Sequence, residues 1–278
     1  MTPVVLLAVL GAAFLHAFWN ALIKTGGDKQ TGMLMLTLGH AAIGAVVVSL
    51  RPLPAAEVWP WLIASGLIHM AYQLFLAYAY EHGDLSRVYP IARGTAPLIV
   101  AIVGAVVLSD VITGREYTGV AVLGLGILLM AQGVFRNDES RRLLPYALGS
   151  ACATAGYSLV DGMGARVSGD PVTYVAWLLI LSALFYTPVV LALHGRRVLA
   201  NTPRGWALGG VASAASYVAY AVVVWAMTQA PIALVTALRE TSILFAVLIG
   251  WVVFREPMQR GKLVAAGLIV LGVVLTRT

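Results

Sequence analysis

Ten runs in this chain are nearly free of charge, each close to the ~20 residues a helix needs to cross a bilayer. They span 3–23, 33–50, 58–80, 86–108, 116–134, 143–162, 172–193, 206–228, 231–254 and 261–276. Lipid offers no hydrogen-bond partner to a backbone, so each run must satisfy its own amides and carbonyls as a helix. The connections, 134–143 and 194–205 among them, are short, with 194–205 the longest, which leaves no room for a water-soluble domain. Thr228-Gln229-Ala230-Pro231 is the turn that divides 206–254 into two crossings. The chain is 60% hydrophobic and 11% charged, where an ordinary soluble domain carries about 25% charged residues. The expected fold class is therefore all-α: a polytopic membrane protein with ten transmembrane helices.

Two arginines lie inside these runs. Arg93 sits in Tyr89-Pro90-Ile91-Ala92-Arg93-Gly94-Thr95-Ala96-Pro97-Leu98, and Arg239 in Val235-Thr236-Ala237-Leu238-Arg239-Glu240-Thr241-Ser242-Ile243-Leu244. At the same offset Gly104 matches Gly250 and Asp110 matches Glu256. Gly119-Val120-Ala121-Val122-Leu123-Gly124-Leu125-Gly126 likewise parallels Ala265-Ala266-Gly267-Leu268-Ile269-Val270-Leu271-Gly272, small residues that let helices approach closely. The chain thus reads as two units, 1–135 with five helices and 143–278 with five more. An odd number of crossings per unit sets the copies in opposite orientations, an inverted repeat. Each arginine lies about eight residues into its helix, or roughly 12 Å. In a core about 30 Å thick, both are expected near the midplane. A charge in hydrocarbon is costly and normally faces a polar cavity with a functional purpose. The competing reading is snorkelling, or a structural ion pair with Glu240 or Asp161. Residues 239 and 240 point about 100° apart on a helix, so Glu240 is expected to pair across helices rather than with Arg239.

Other polar residues share the apolar runs. His16, Asn20 and Lys24 fall on one face beside Trp19; His69 and Gln73 are four apart with Tyr72 flanking; Tyr157 and Asp161 are four apart; Ser213, Ser216, Tyr217 and Tyr220 lie on the eighth helix. Together they would line a cavity for a small polar ligand. Glu240 and Asp161 are the candidates for proton coupling, since a carboxylate is a compact proton carrier. Asp161 also stands close to the expected end of its run, where water would simply solvate it. For any single tyrosine or tryptophan, helix packing or interfacial anchoring is the plainer explanation. Pro90, Pro97 and Pro188 are candidate kinks.

Enzymatic and cofactor chemistry find no foothold. Gly124-Leu125-Gly126 is within a membrane run, and no Lys-Ser or Lys-Thr follows a glycine-rich turn. No metal-ligand spacing occurs, and Cys152, the single cysteine, is expected as a small core residue. The net charge of +6 is scattered through short connections, which excludes a nucleic-acid surface. Alternate connections hold 12 lysines and arginines against 4, among them Lys24, Arg87, Arg141, Arg142, Arg196 and Arg197 on the richer side. The positive-inside rule then places the termini in the periplasm. The first run has no basic leader region, and it reads as a retained helix rather than a signal peptide.

The second unit runs from Ile232-Ala233-Leu234-Val235 through Gly250-Trp251 and Phe254-Arg255-Glu256-Pro257 to Gly261, Ala266-Gly267 and Gly272-Val273-Val274-Leu275. In the first, Asp110 precedes Arg115-Glu116-Tyr117-Thr118-Gly119. Over essentially the whole chain this resembles the drug/metabolite transporter superfamily, in its ten-helix EamA-like branch. The segments around Arg93 and Arg239 look like a subgroup linked to phosphonate utilisation. The resemblance implies a multi-pass inner-membrane carrier working by alternating access. The expected function is a secondary transporter of a small organic metabolite, an amino acid or organic anion. Protons and the lipid bilayer are its further expected partners, and the chain is expected as a monomer or weak dimer. A passive channel would need a continuous polar lining, and a membrane enzyme would place its polar residues at an interface.

Overall fold

The computed structural model describes residues 1–24, 28–82, 85–130, 143–253, 255 and 260–276; for 23, 24, 29, 80–82, 85–92 and 130 the description stops at the backbone. Within these residues the chain is helical throughout: α1 (Pro3–Lys24), α2 (Lys29–Ser49), α3 (Trp59–His82), α4 (Leu85–Val107), α5 (Gly114–Met130), α6 (Leu143–Ser168), α7 (Pro171–His194), α8 (Pro203–Gln229), α9 (Ile232–Arg239), α10 (Ser242–Val252) and α11 (Arg260–Leu275). Among the described residues seven helical stretches are long and apolar enough to span a membrane. Large apolar side chains such as Leu7, Val106, Leu184 and Trp251 cover the outside. So large an apolar exterior suits lipid rather than water. The chain is an all-α polytopic membrane protein.

Two expectations need correction. The run 231–254 is not one helix: it breaks at Glu240-Thr241 into α9 and α10. There the amides of Glu240 and Thr241 reach back only three residues, to Ala237 O at 3.1 Å and Leu238 O at 3.0 Å. The Thr241 hydroxyl donates to the same Leu238 carbonyl at 2.7 Å. A threonine that binds a nearby carbonyl competes with the helix ladder, and the turn tightens. The run 143–162 is also longer than expected. α6 continues to Ser168, so Asp161 lies well inside the helix and is fully buried. α4, in contrast, runs on through Pro90 and Pro97 without a break.

Local signals set several ends. Asp170 caps α7, accepting from the amides of Val172 at 3.1 Å and Thr173 at 3.2 Å, with Pro171 at the first helical position, where its missing N–H costs nothing. Gly169 and Gly195 adopt positive φ at the ends of α6 and α7. Burial pushes the Asp170 carboxyl up, but the hydroxyl and amide of Thr173 outweigh it, helped by Arg51 and the Val172 amide, and the net position is below the usual carboxylate value. A group with a depressed folded pKa contributes stability above its unfolded pKa and loses it as pH falls through the folded one. Asp170→Ala should cost about 1 kcal/mol at neutral pH. In thermal unfolding of the detergent-purified protein, the gap to wild type should close below pH ~4. A gap that persists in acid would refute the capping role.

The halves interleave. α5 packs on α11, α3 on α6, α1 on α8, α2 on α7 and α4 on α6. Swapping the halves carries this set into itself: α3–α6 becomes α8–α1, α3–α7 becomes α8–α2, and α4–α6 becomes the packing of α9 and α10 on α1. α5 and α11 touch through backbone. A Cβ on Gly119 would lie 2.9 Å from Gly272 O, and one on Gly272 2.8 Å from Gly119 O. The expected small-residue packing is present at these two glycines, whereas Gly267 faces open space. Cys152 is exposed on α6 rather than in the core, a correction to its expected place. α9 occupies the centre, with every residue from Ile232 to Arg239 buried.

Candidate functional site

Three charged side chains meet where α9 ends. α4 supplies Arg93, α9 supplies Arg239 as its last residue, and the turn beyond supplies Glu240. Arg93 Nε lies 2.9 Å from Glu240 Oε2. Arg239 donates to Glu240 Oε1 from Nη2 at 3.3 Å and Nε at 3.4 Å. All three are buried. Glu240 therefore pairs both across helices and with its neighbour. The expectation that it would pair across helices rather than with Arg239 holds only in part, since the two long side chains also meet from adjacent positions.

Both arginines line a cavity of about 70 Å³. Its walls bring together His16, Trp19, His69, Tyr72 and Gln73 from the first half with Tyr157 and Tyr220 from the second. His16 Nε2 is 3.1 Å from Arg93 Nη2. The Tyr157 ring has His69 stacked on it at 4.2 Å and the Arg239 guanidinium 5.7 Å from its centroid. Gln73 donates to Ser182 Oγ at 3.4 Å. Behind the wall, Asp161 accepts from the Tyr220 hydroxyl in a short hydrogen bond and from Tyr174 OH at 3.3 Å. His69 Nε2 is 3.8 Å from Asp161 Oδ2. Asp161 is thus deep in the bundle and not, as its place in the sequence suggested, solvated at an interface.

Two of the candidate residues stand apart. Asn20 turns its amide back to His16 O at 2.7 Å and lies outside the cavity wall. Tyr217 packs into the apolar cluster of α3, α7 and α8, its ring 6.5 Å from His40. Its neighbour Ser216 takes the lining position instead. The side chain of Lys24, and Glu256 with its match to Asp110, lie outside the described residues.

An EamA-like transporter family model matches residues 3–132 and again 142–278. The chain belongs to the EamA-like transporter family. It is accordingly a multi-pass membrane protein of a transporter family. A solved crystal structure superposes with a TM-score of 0.75 at 16% identity, covering 100% of this chain and 97% of that one, which shows a shared fold. No curated protein matches it.

Sequence reasoning passed over two features of this EamA-like protein. His40 lines the cavity from α2. The rule that singled out His16 and His69, an imidazole inside an apolar run, would have found it. The second is a clamp at one end of the bundle. Arg166, expected in a connection, lies within α6. Its Nη1 donates to Asp110 Oδ1 at 2.7 Å and its Nη2 to Asp110 Oδ2 at 3.2 Å. The same guanidinium caps the end of α8, donating to Met227 O at 2.9 Å and Ala230 O at 3.1 Å. Asp110 in turn accepts from the first amide of α9, Ile232 N, at 2.8 Å.

Proposed function

We propose that the protein is a secondary transporter moving a small organic metabolite, an amino acid or organic anion, across the inner membrane by alternating access. The observation that carries this reading is the convergence of Arg93 from the first half and Arg239 from the second on Glu240, at the wall of a central cavity. A charge cluster this deep is expensive unless it serves the passage of a substrate. Two further facts support inverted five-helix units over 1–135 and 143–278: the two separate family matches and packing that survives exchange of the halves. The arginine segments are the support for the phosphonate-linked subgroup, and the uneven lysine and arginine count supports periplasmic termini.

In this reading the Asp110–Arg166 clamp holds one mouth closed and must break for that side to open. α9 links the two events, since its first amide sits in the clamp and its last side chain is Arg239, seven residues or roughly 10 Å away. Glu240 serves as counter-ion to both guanidiniums. We assign proton coupling to Asp161, whose neighbours are His69 and two tyrosine hydroxyls, groups able to pass a proton. Counterflow in liposomes containing the full-length protein tests the proposal, because a carrier exchanges solute against a gradient and a channel cannot. Arg93→Gln and Arg239→Gln should each reduce counterflow at least about tenfold, the scale of one lost charge-assisted contact. Full exchange in both variants would remove the arginines from the transport path.

A further inference from the structure

Asp161 is fully buried and has no place on the cavity wall, yet two wall residues approach it. Tyr220 lines the cavity with its ring and donates its hydroxyl to Asp161 Oδ2. His69 also lines the cavity, and its Nε2 lies 3.8 Å from that same oxygen. Tyr174, off the wall, donates to the other oxygen, Oδ1, at 3.3 Å. We propose that Asp161 and His69 hold one proton between them, on Oδ2, and that Tyr220 carries its presence to the substrate cavity. The proposal rests on the transporter reading above and deepens it. There Asp161 is the proton site; here its partner and its link to the substrate are named.

The hydrogen bonding of His69 sets where the proton goes. Nδ1 lies 3.0 Å from the Ser65 carbonyl oxygen and 3.3 Å from the Ser65 hydroxyl. A carbonyl only accepts, so Nδ1 carries the hydrogen of the neutral ring. Nε2 is then the bare nitrogen, and it is the one turned toward the carboxylate. Two acceptors facing each other in a buried place are reconciled by a single proton. Placed on Oδ2 and directed at Nε2, it leaves a neutral acid beside a neutral imidazole, which avoids burying two charges. At 3.8 Å Nε2 and Oδ2 are not hydrogen-bonded, and Tyr220 occupies the oxygen instead.

The proton and Tyr220 therefore compete for one atom. A protonated Oδ2 donates to Nε2 and accepts poorly from a phenol, because a charge-assisted hydrogen bond becomes a neutral one. Tyr174 keeps its hold on Oδ1. The ring that is released stands 6.0 Å from Tyr157 and 5.5 Å from His69, both on the wall. Tyr157 in turn lies under the Arg239 guanidinium at 5.7 Å. The groups that act on Asp161 are His69 and the Ser65 hydroxyl from α3, Tyr174 from α7 and Tyr220 from α8. Arg93 of α4 and Arg239 of α9 bind Glu240 instead.

The test is infrared difference spectroscopy of the purified full-length protein in lipid vesicles, acid minus alkaline buffer, with the proton as the only ligand. Acidification should bring up a protonated-carboxyl C=O band, and Asp161→Asn should remove the part of it that Asp161 supplies. His69→Phe keeps a ring on Tyr157 and takes away the acceptor, so that part should shift to higher frequency. A tyrosine phenol band should change in step with it. Tyr220→Phe should abolish the tyrosine change, and Tyr174→Phe should leave it in place, whereas a general loosening of the bundle would not tell the two apart. An unaltered carboxyl band in Asp161→Asn, or a tyrosine change that survives Tyr220→Phe, overturns the proposal. The tyrosine arm leaves Asp161 intact, so it decides the matter even where Asp161→Asn fails to fold. Spectra as expected in a protein without counterflow would sink the transporter reading and spare this one. Counterflow in the wild type with spectra unmoved by Asp161→Asn and Tyr220→Phe would do the reverse.

Discussion

Glu240→Ala is expected to be the most damaging single substitution in the chain, costing about 3–5 kcal/mol of stability. The carboxylate holds Arg93 at 2.9 Å and Arg239 at 3.3 Å, and all three side chains are at most 4% exposed. Truncation removes the carboxylate that both buried guanidiniums contact. Removing one member of a buried pair is costly for the charge left behind, rather than for the attraction lost. Thermal unfolding in detergent and the yield of monodisperse protein measure it. The double change Glu240→Ala with Arg93→Met should recover most of the loss, since one of the stranded charges goes with it. A single mutant as stable as wild type would show that the arginines have other adequate partners.

Asp110→Ala is expected to release one mouth of the protein. The substitution removes both acceptors of the Arg166 fork and the partner of Ile232 N. Arg166 is 31% exposed and Asp110 12%, so solvent screening trims the loss to about 2 kcal/mol, near the low end for charge-assisted contacts. Under the alternating-access proposal, that would shift the equilibrium between closed and open forms roughly thirtyfold. Ser216 lines the cavity. In a Cys152→Ser background, Ser216→Cys should react several-fold faster with an impermeant thiol reagent once Asp110 is replaced. The acceleration should appear only from the membrane side that carries the clamp. Equal labelling with and without Asp110 would make the clamp a static tie. Faster labelling from both sides would mean that the bundle has loosened as a whole.

Hydropathy and the cost of a charge in lipid are properties of short stretches, and these the sequence could determine alone. Most helices begin and end within a few residues of the apolar runs, and Arg93 and Arg239 were identified by that cost alone. The glycines of α5 and α11 announced a close contact through their size. What the sequence could not determine was rotation and partner. A helix that is apolar all round carries no stripe to say which face turns inward. Asn20 and Tyr217 on one side of that uncertainty, and His40 and Ser216 on the other, differ only in where packing turned them. After Arg239 the backbone tightens to three-residue hydrogen bonds, and Glu240 meets Arg93 from another helix as well as its own neighbour. Asp110 and Arg166 stand 56 residues apart, and their clamp exists because α6, α8 and α9 end at the same place. Burial, depth and ion-pair choice follow from how near-equivalent apolar surfaces fit together, which only the tertiary structure settles.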